Sequence, residues 1–339
     1  MKKVLILGGA GFIGFNVAKR LSQRDGYDIT LADNLSRGKM DNYLKELLKK
    51  ENVKFIEGDF TSLKTFDLLE KDYDYFYMLA AVVGVNNTLK IPSEIIRINS
   101  LLTINTLEWL AKSDVNKVVF SSTSENYAGT IDTFGYKIPT PEEIPLSITD
   151  ISHPRFTYAV TKILGESGFL NYSKSYNFEC TVVRYHNVIG PRMGFKHVIP
   201  HLAERFLKGE EDPFLMYGHD QTRAFCDIDD AVDGTIAAIE HKSSDGEIYH
   251  IGTSKEISIE ELIKQAATFF EYKGSFEVAP TFPGSTKRRC PDISKAKAHF
   301  GFEPKVDWKD SLNKTLEWYK NYFESGKKAF ESSFEKPDV

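Results

Sequence analysis

Lys3-Val4-Leu5-Ile6-Leu7, followed at once by Gly8-Gly9-Ala10-Gly11-Phe12-Ile13-Gly14, is the stretch that decides the fold of this chain. The first segment has the apolar character of a buried strand, and the second opens a helix-length segment. Gly9, Gly11 and Gly14 give the spacing that permits a tight turn and a close approach of backbone to a phosphate at a helix N-terminus. The stretch therefore predicts a βα unit that binds a dinucleotide.

An acidic residue, Asp33, closes the second predicted strand, 19 residues after Gly14. At that place a carboxylate accepts hydrogen bonds from the adenosine ribose and repels a 2′-phosphate. We therefore predict NAD rather than NADP as the cofactor. Arg37, four residues further on, keeps NADP open as an alternative.

Short apolar segments alternate with helix-length segments through the first half of the chain. This alternation is typical of βαβ units and predicts an α/β fold with a Rossmann-type, doubly wound parallel sheet. The predicted strands are residues 3–7, 28–32, 53–57, 75–80, 117–121 and 180–184. The clearest helices between them are residues 91–112 and 158–174.

After about residue 186 the alternation weakens, which predicts a smaller α/β C-terminal domain that holds the substrate. A strand-like run at residues 247–251 is predicted to return to the first sheet. We therefore predict a dinucleotide domain over residues 1–185 with a returning segment at about 225–252. The substrate domain takes 186–224 and 253–325, and residues 326–339 form a polar, poorly ordered tail.

The formal net charge of −5 and the isoelectric point near 6.0 show no excess of positive charge of the kind that binds nucleic acid or an anionic membrane. The apolar run Val4–Leu7 is too short for a signal peptide or a membrane span. The three cysteines are far apart and have no CxxC spacing. We expect a cytoplasmic protein with no metal, nucleic-acid or membrane partner.

Two further segments carry candidate chemistry. Tyr158 and Lys162 lie four positions apart on a predicted helix, so they share one face, and an ammonium beside a phenol favours the phenolate that can accept a hydroxyl proton. Thr123 and Glu125 follow the predicted strand 117–121, at the carboxyl edge where ligands of parallel sheets bind. Without the glycine motif, each segment is more simply a helix surface or a self-capping loop.

Together these segments resemble the extended short-chain dehydrogenase/reductases that act on nucleotide sugars, an NAD-dependent epimerase/dehydratase family. The resemblance covers nearly the whole chain. It also includes residues 58–59, 79–81 and 184–187, then Gly190-Pro191-Arg192, Gln221-Thr222-Arg223 and residues 288–292. It implies an enzyme in which Thr123, Glu125, Tyr158 and Lys162 are catalytic.

The resemblance also implies binding residues. Those for the cofactor are Gly8, Gly9, Gly11, Phe12, Ile13, Gly14, Asp33, Asn34, Asp59, Phe60, Leu79, Ala80, Ala81, Asn99, Tyr158 and Lys162. Those for a nucleotide-diphosphate sugar are Thr123, His186, Asn187, Arg223 and Arg289. The resemblance further implies a homodimer in which the helices at 91–112 and 158–174 form a four-helix bundle.

The implied reaction begins with oxidation of the C4 hydroxyl of the sugar, followed by epimerisation, dehydration or decarboxylation. Thr123-Ser124-Glu125 resembles the loop of the dehydratases and decarboxylases, whereas Pro154-Arg155 and Arg289-Cys290-Pro291-Asp292 resemble the decarboxylase branch. A dehydrogenase that releases the keto sugar is an alternative, and so is a non-catalytic NAD-dependent sensor or scaffold. Asn126, Ala128 and His186 depart from the common family pattern, and they leave the sugar, the nucleotide base and the role of His186 open.

Overall fold

The computed structural model describes residues 1–195, 197–281 and 286–327, without the side chains of Val85 and Asn86. The strands are β1 (Lys2–Leu7), β2 (Tyr27–Asp33), β3 (Val53–Glu57), β4 (Tyr75–Met78), β5 (Lys117–Thr123), β6 (Glu179–Tyr185), β7 (Val188–Ile189), β8 (Phe214–Tyr217), β9 (Thr222–Arg223), β10 (Cys226–Asp227), β11 (Ile248–Ile251), β12 (Ile257–Ser258), β13 (Phe276–Ala279) and β14 (Arg288–Arg289). The greater part of the predicted tail, residues 328–339, lies outside the described residues.

The helices alternate with these strands in the first half of the chain. They are α1 (Phe12–Leu21), α2 (Asn42–Leu47), α3 (Val85–Lys90), α4 (Pro92–Leu110), α5 (Ala128–Phe134), α6 (Thr157–Ser175), α7 (Val198–Lys208), α8 (Ile228–Glu240), α9 (Ile259–Phe269), α10 (Ser294–Phe300) and α11 (Trp308–Glu324). Short 3-10 helices span Leu63–Leu68, Ser124–Tyr127 and Pro154–Phe156.

Seven strands form one parallel sheet in the order β11-β6-β5-β4-β1-β2-β3. One face packs against α1 and α8, through residues such as Phe15 and Ile236. The other face packs against α4 and α6, through Ile95 and Phe169. The predicted doubly wound Rossmann-type sheet is confirmed. The strand order reverses between β1 and β4, and ligands of such folds bind at the carboxyl ends of the strands beside this point.

The last strand of the sheet, β11, lies beside β6 with Ile248 opposite Val182. A third cluster of buried side chains, from α7, α9, α11 and β8, forms the core of a smaller layer beyond the sheet. There β9 pairs with β12 and β14, and Arg223 is directly opposite Arg289 in this register. The described residues include no helix that is long and apolar enough to cross a membrane.

The fourth strand ends at Met78, two residues before the predicted end. The backbone of Leu79 and Ala80 instead packs against Gly8, where an added Cβ would lie 2.7 Å from the nitrogen of Ala80. The nitrogen of Leu79 still donates to the carbonyl of Leu7 at 2.9 Å, and the chain then turns at Ala80 along the carboxyl edge. Pattern analysis also missed α5, because its residues Ala128–Phe134 show no clear apolar period.

Candidate active site

A cleft of about 1460 Å³ lies along the carboxyl edge of the seven-stranded sheet, between it and the smaller layer. Single drug-sized ligands occupy pockets of about 300–1,000 Å³, so this cleft has room for a cofactor and a substrate together. It is lined by the loops that follow β1, β2, β4, β5 and β6, and by Arg223 and Arg289 from the smaller layer.

The glycine loop is held tightly at one end of the cleft. Gly8 has a φ of +89°, and an added Cβ on Gly14 would lie 2.3 Å from the carbonyl oxygen of Gly8. Helix α1 then starts at Phe12 with no side-chain cap and no acidic residue in its first turn. Its first N–H groups are therefore suited to an anionic ligand such as a diphosphate.

Asp33 ends β2 and connects the glycine loop to the next loop. Its carboxylate accepts hydrogen bonds from the backbone nitrogens of Ala10, at 3.0 Å, and Leu35, at 2.9 Å. Burial raises the pKa of Asp33, and these hydrogen bonds partly oppose that effect. The carboxylate lines the cleft and retains lone pairs that can accept the hydroxyls of a ribose.

Tyr158 and Lys162 lie one turn apart on α6 and line the same part of the cleft. The Lys162 Nζ donates to the carbonyl of Ser121 at 2.7 Å and lies 5.9 Å from the centre of the Tyr158 ring. Burial lowers the pKa of Lys162 to about 7, and Glu166 opposes this. Burial raises the pKa of Tyr158, whereas Arg37 and a hydrogen bond to Thr123 lower it.

Thr123 ends β5, and its hydroxyl accepts from the backbone nitrogen of Glu125 at 3.2 Å. The Glu125 carboxylate in turn pairs with the guanidinium of Arg289 at 2.5 Å. Burial raises the pKa of Glu125, but Arg289, with smaller effects from Arg155 and Arg223, outweighs burial and holds this pKa below its ordinary value. Glu125 is therefore a carboxylate, and not a carboxylic acid, at neutral pH.

Four predicted site residues do not line the cleft. Gly9 packs against the side chain of Leu31. The exposed Asp59 accepts hydrogen bonds from Thr61, while its neighbours Gly58 and Phe60 line the cleft. Asn99 instead forms hydrogen bonds with both backbone groups of Val82, and so shapes the loop after β4 from behind.

His186 also lies away from the cleft, which is at odds with the expected contact to a sugar. It follows the end of β6 and is fully buried, with Nε2 2.8 Å from the hydroxyl of Tyr127 and its ring packed on His250. Burial holds its pKa well below the ordinary range. The neighbouring residues Tyr185 and Asn187 line the cleft instead.

Other residues of the cleft carry charge or rings that the predicted set did not include. Arg155, Arg37 and His197 line it, and the ion pair of Arg192 with Asp41 adds a further bridge at 2.8 Å. Arg155 had a sequence signal, since it follows Pro154 shortly before Tyr158. Arg37 and Arg192 also stand in segments that the sequence singled out, but their contacts with His197 and Asp41 could not be foreseen, because these partners are distant in sequence.

Comparison with known proteins identifies the family to which the chain belongs. A model described as "NAD dependent epimerase/dehydratase family" matches residues 4–252. The chain belongs to this family. It is therefore an NAD-dependent enzyme of the extended short-chain dehydrogenase/reductase type, and the family, enzyme class and cofactor expected from the sequence are confirmed.

Relatives in this family cover almost the full length of the chain. A UDP-N-acetyl-alpha-D-glucosaminuronate decarboxylase of Bacillus cytotoxicus is 34% identical, over 94% of this chain and 98% of its own length. A UDP-glucuronate 4-epimerase of Thermodesulfobacterium geofontis is 32% identical, over 94% and 97%. These epimerase/dehydratase relatives are consistent with the predicted C4 oxidation followed by epimerisation, dehydration or decarboxylation.

Solved structures of the epimerase/dehydratase family agree with the fold. A UDP-glucuronic acid 4-epimerase from Bacillus cereus, solved with UDP-glucuronic acid and NAD, has a TM-score of 0.82 at 26% identity, covering 94% of this chain and 99% of its own. A UDP-glucose 4-epimerase from Thermotoga maritima, solved with UDP-glucose, has a TM-score of 0.80 at 30% identity, covering 95% and 99%.

Proposed function

We propose that this enzyme oxidises the C4 hydroxyl of a nucleotide-linked uronic acid and then releases carbon dioxide from the resulting keto acid. The observation that carries this proposal is the ion pair of Glu125 with Arg289, beside Thr123 and Tyr158 in the cleft. The decarboxylase from Bacillus cytotoxicus, whose name gives a UDP-linked uronic acid as its substrate, supports the same reaction class.

The ionised state of Glu125 fits decarboxylation better than a role as the acid in dehydration. Loss of water from a 4-keto sugar needs a base that removes the C5 proton and an acid that protonates the leaving C6 hydroxyl; a carboxylate paired with Arg289 can be the base but is a poor acid. Loss of carbon dioxide from a β-keto acid needs no acid. The C5–C6 bond breaks, its electron pair passes into the C4 ketone, and C5 takes a proton from a water that we propose Glu125 holds. C4 then takes back the hydride, so the cofactor ends each turnover in its oxidised form.

The cationic side chains of the cleft fit an anionic sugar. Arg223 and Arg289 are neighbours on β9 and β14, and both line the cleft together with Arg155. Guanidinium groups pair well with phosphates and carboxylates because both their N–H groups can donate in parallel. We propose that these three arginines share the substrate diphosphate and the uronate carboxylate between them.

The remaining roles follow from position. Tyr158 accepts the C4 proton, Thr123 orients that hydroxyl, and Lys162 favours the phenolate and holds the nicotinamide ribose. NAD, when bound, accepts the C4 hydride. We propose that the dinucleotide occupies the lining from Gly8 to Gly14 and from Leu79 to Ala81, near Asp33, Asn34 and Phe60, while Asn187 contacts the substrate. In this proposal residues 1–185 and 225–252 form the domain that binds the cofactor, and residues 186–224 and 253–325 form the domain that binds the nucleotide sugar.

A panel of nucleotide sugars tests the reaction. The enzyme is incubated with NAD and either UDP-linked uronic acids or the corresponding neutral sugars, and the products are followed by mass spectrometry and NMR. We expect a loss of carbon dioxide from a uronic acid only. An unchanged mass with an inverted C4 centre would make the enzyme a 4-epimerase, and loss of water would make it a dehydratase; either result contradicts the proposal.

Two expectations about the whole protein also remain proposals. The homodimer through α4 and α6 is supported by apolar side chains exposed on both helices, among them Ile104 and Leu164. A cytoplasmic location is supported by Cys180, Cys226 and Cys290, which are buried as free thiols.

A further inference from the structure

Arg37 crosses the cleft in a way that the family resemblance did not suggest. Its neighbour Gly38 packs on the glycine loop so closely that an added Cβ would lie 2.6 Å from the carbonyl oxygen of Ala10. From there the side chain reaches the segment before α7. Its Nη2 lies 3.3 Å from Nε2 of His197, and an added Cβ on Gly194 would lie 2.6 Å from the same nitrogen. Arg37 therefore connects the two sides of the cleft.

The guanidinium of Arg37 has no carboxylate partner in the described part of the chain. Its cationic neighbours in the cleft are already engaged: Arg192 pairs with Asp41, and Lys162 donates to Ser121. Partial burial of a guanidinium without a negative group is unfavourable, and it lowers the pKa of Arg37. An anionic ligand in the cleft compensates this cost.

We propose that Arg37 binds the diphosphate of the dinucleotide and closes the cleft over it. In a dinucleotide the diphosphate lies between the two riboses. Asp33 and the glycine loop mark the adenosine end, and Tyr158 and Lys162 mark the nicotinamide end. Arg37 starts beside Ala10 of the glycine loop, reaches His197 with its guanidinium, and lines the same cleft as Tyr158 and Lys162, so its charge is available to a ligand that extends between these two ends. This inference does not depend on which reaction follows C4 oxidation.

His197 keeps the guanidinium in this place. Burial lowers the pKa of His197 to about 4, so its imidazole is neutral at physiological pH and can accept a hydrogen bond from Arg37. A neutral partner orients the guanidinium but leaves its charge to the diphosphate. Because His197 is the N-cap residue of α7, binding of the cofactor is coupled to contact between the sheet and the smaller layer.

Equilibrium titration of the cofactor-free protein with NAD, ADP-ribose, NADP and UDP tests this assignment. We expect Arg37→Met to weaken NAD and ADP-ribose alike, by about 10- to 100-fold, the value of a charge-assisted hydrogen bond. UDP, which reports the substrate site, is expected to bind as before. Arg37→Lys keeps the positive charge but not the two parallel N–H donors of the guanidinium, so its affinity for both ligands is expected to fall less. His197→Phe removes the acceptor and is expected to give a smaller loss for the same two ligands.

Arg24→Met is the matched control, since it removes one positive charge from an exposed pair with Glu240 outside the cleft lining. Equal affinities of Arg37→Met and the parent protein for NAD overturn the proposal. A loss confined to NADP assigns Arg37 to a 2′-phosphate, and a loss confined to UDP assigns it to the substrate; both outcomes also overturn it. If circular dichroism shows that Arg37→Met is unfolded, Arg37→Lys replaces it, and its losses of affinity for the four ligands are judged by the same criteria.

Discussion

The residues proposed to be catalytic have ionisation states that depend on burial as much as on their charged neighbours. Burial raises the pKa of the Tyr158 phenol, which is therefore protonated at neutral pH, and lowers the pKa of Lys162 to about 7, so that Lys162 is present in both its charged and its neutral form. Glu125 remains charged, since Arg289 compensates its burial. A cationic group bound beside the Tyr158 ring favours the phenolate. The first proton transfer is therefore coupled to ligand binding.

Glu125→Gln and Tyr158→Phe should separate the first step from the later ones. Tyr158→Phe removes the base of the first step, so we expect turnover to fall by roughly 10²–10⁴-fold while cofactor binding survives. Glu125→Gln should still oxidise C4, but it should slow protonation of C5 and so the return of the hydride, because Glu125 is proposed to hold the water that supplies this proton. Reduced nicotinamide then accumulates and can be followed by its absorbance. Unchanged overall turnover in Glu125→Gln, or complete loss of oxidation in a folded, cofactor-bound variant, would contradict this order of events.

The pKa of Lys162 predicts how stability depends on pH. The folded protein releases this proton near pH 7, whereas the unfolded chain keeps it up to about pH 10.5. Between these values the unfolded state holds more protons, so the free energy of unfolding rises with pH. We expect Lys162 to contribute a rise of about 2 kcal/mol between pH 7 and 9 in the cofactor-free protein.

Urea denaturation of the parent protein and of Lys162→Met at several pH values measures this contribution as a difference. Lys162→Met should lack the rise, and it should be at least as stable as the parent near pH 7 because no charge is then buried. Parallel curves for the two proteins would show that Lys162 stays protonated in the folded state.

At the scale of elements, a buried ion pair connects α6, β6 and the loop after β5. Glu166 accepts from Arg184 at 2.8 and 2.7 Å and from Asn126 at 2.9 Å, and its carboxylate also accepts from Ser122 at 2.5 Å. Both side chains of the pair are 5% exposed or less. Ser122 and Asn126 flank Thr123 and Glu125, so this network holds residues 122–126 in place from the side away from the cleft.

Removal of one partner from this network should be costly. We expect Glu166→Ala to lower the free energy of unfolding by about 3–5 kcal/mol, because Arg184 is left buried and unpaired. The matched control, Glu94→Ala, breaks an exposed pair with Arg97 and should cost about 1 kcal/mol or less. The double variant Glu166→Met/Arg184→Met should recover part of the loss. Similar denaturation midpoints for Glu166→Ala and the control would show that the network does not stabilise the fold.

At the scale of the whole molecule, α4 and α6 carry exposed apolar side chains that suit contact with a second subunit. Helices α4 and α6 pack against each other, and Ile96, Ile104 and Leu164 are each between 43% and 48% exposed. Exposed apolar residues on two adjacent helices are typical of an interface between subunits. A second copy of the chain would complete a four-helix bundle there.

Charged substitutions on this surface should produce monomers. We expect the parent protein to be a dimer and Ile104→Glu/Leu164→Glu to be a folded monomer, because each carboxylate would be buried in the interface. Val278→Glu, on an equally exposed side chain of β13, should remain dimeric. Light scattering at micromolar concentration measures all three, and a monomeric parent protein would contradict the prediction.

The sequence alone determined the parallel sheet, the glycine loop with Asp33 and the Tyr158/Lys162 pair, because strand patterns, turn glycines and helix spacing depend on neighbours along the chain. The tertiary structure alone decided which distant groups meet. Glu125 and Arg289 are 164 residues apart, and Arg37 and His197 are 160 apart. It also turned His186 away from the cleft toward Tyr127. No local pattern encodes such contacts, since they arise from the packing of the smaller layer on the sheet and from the pairing of β9 with β14.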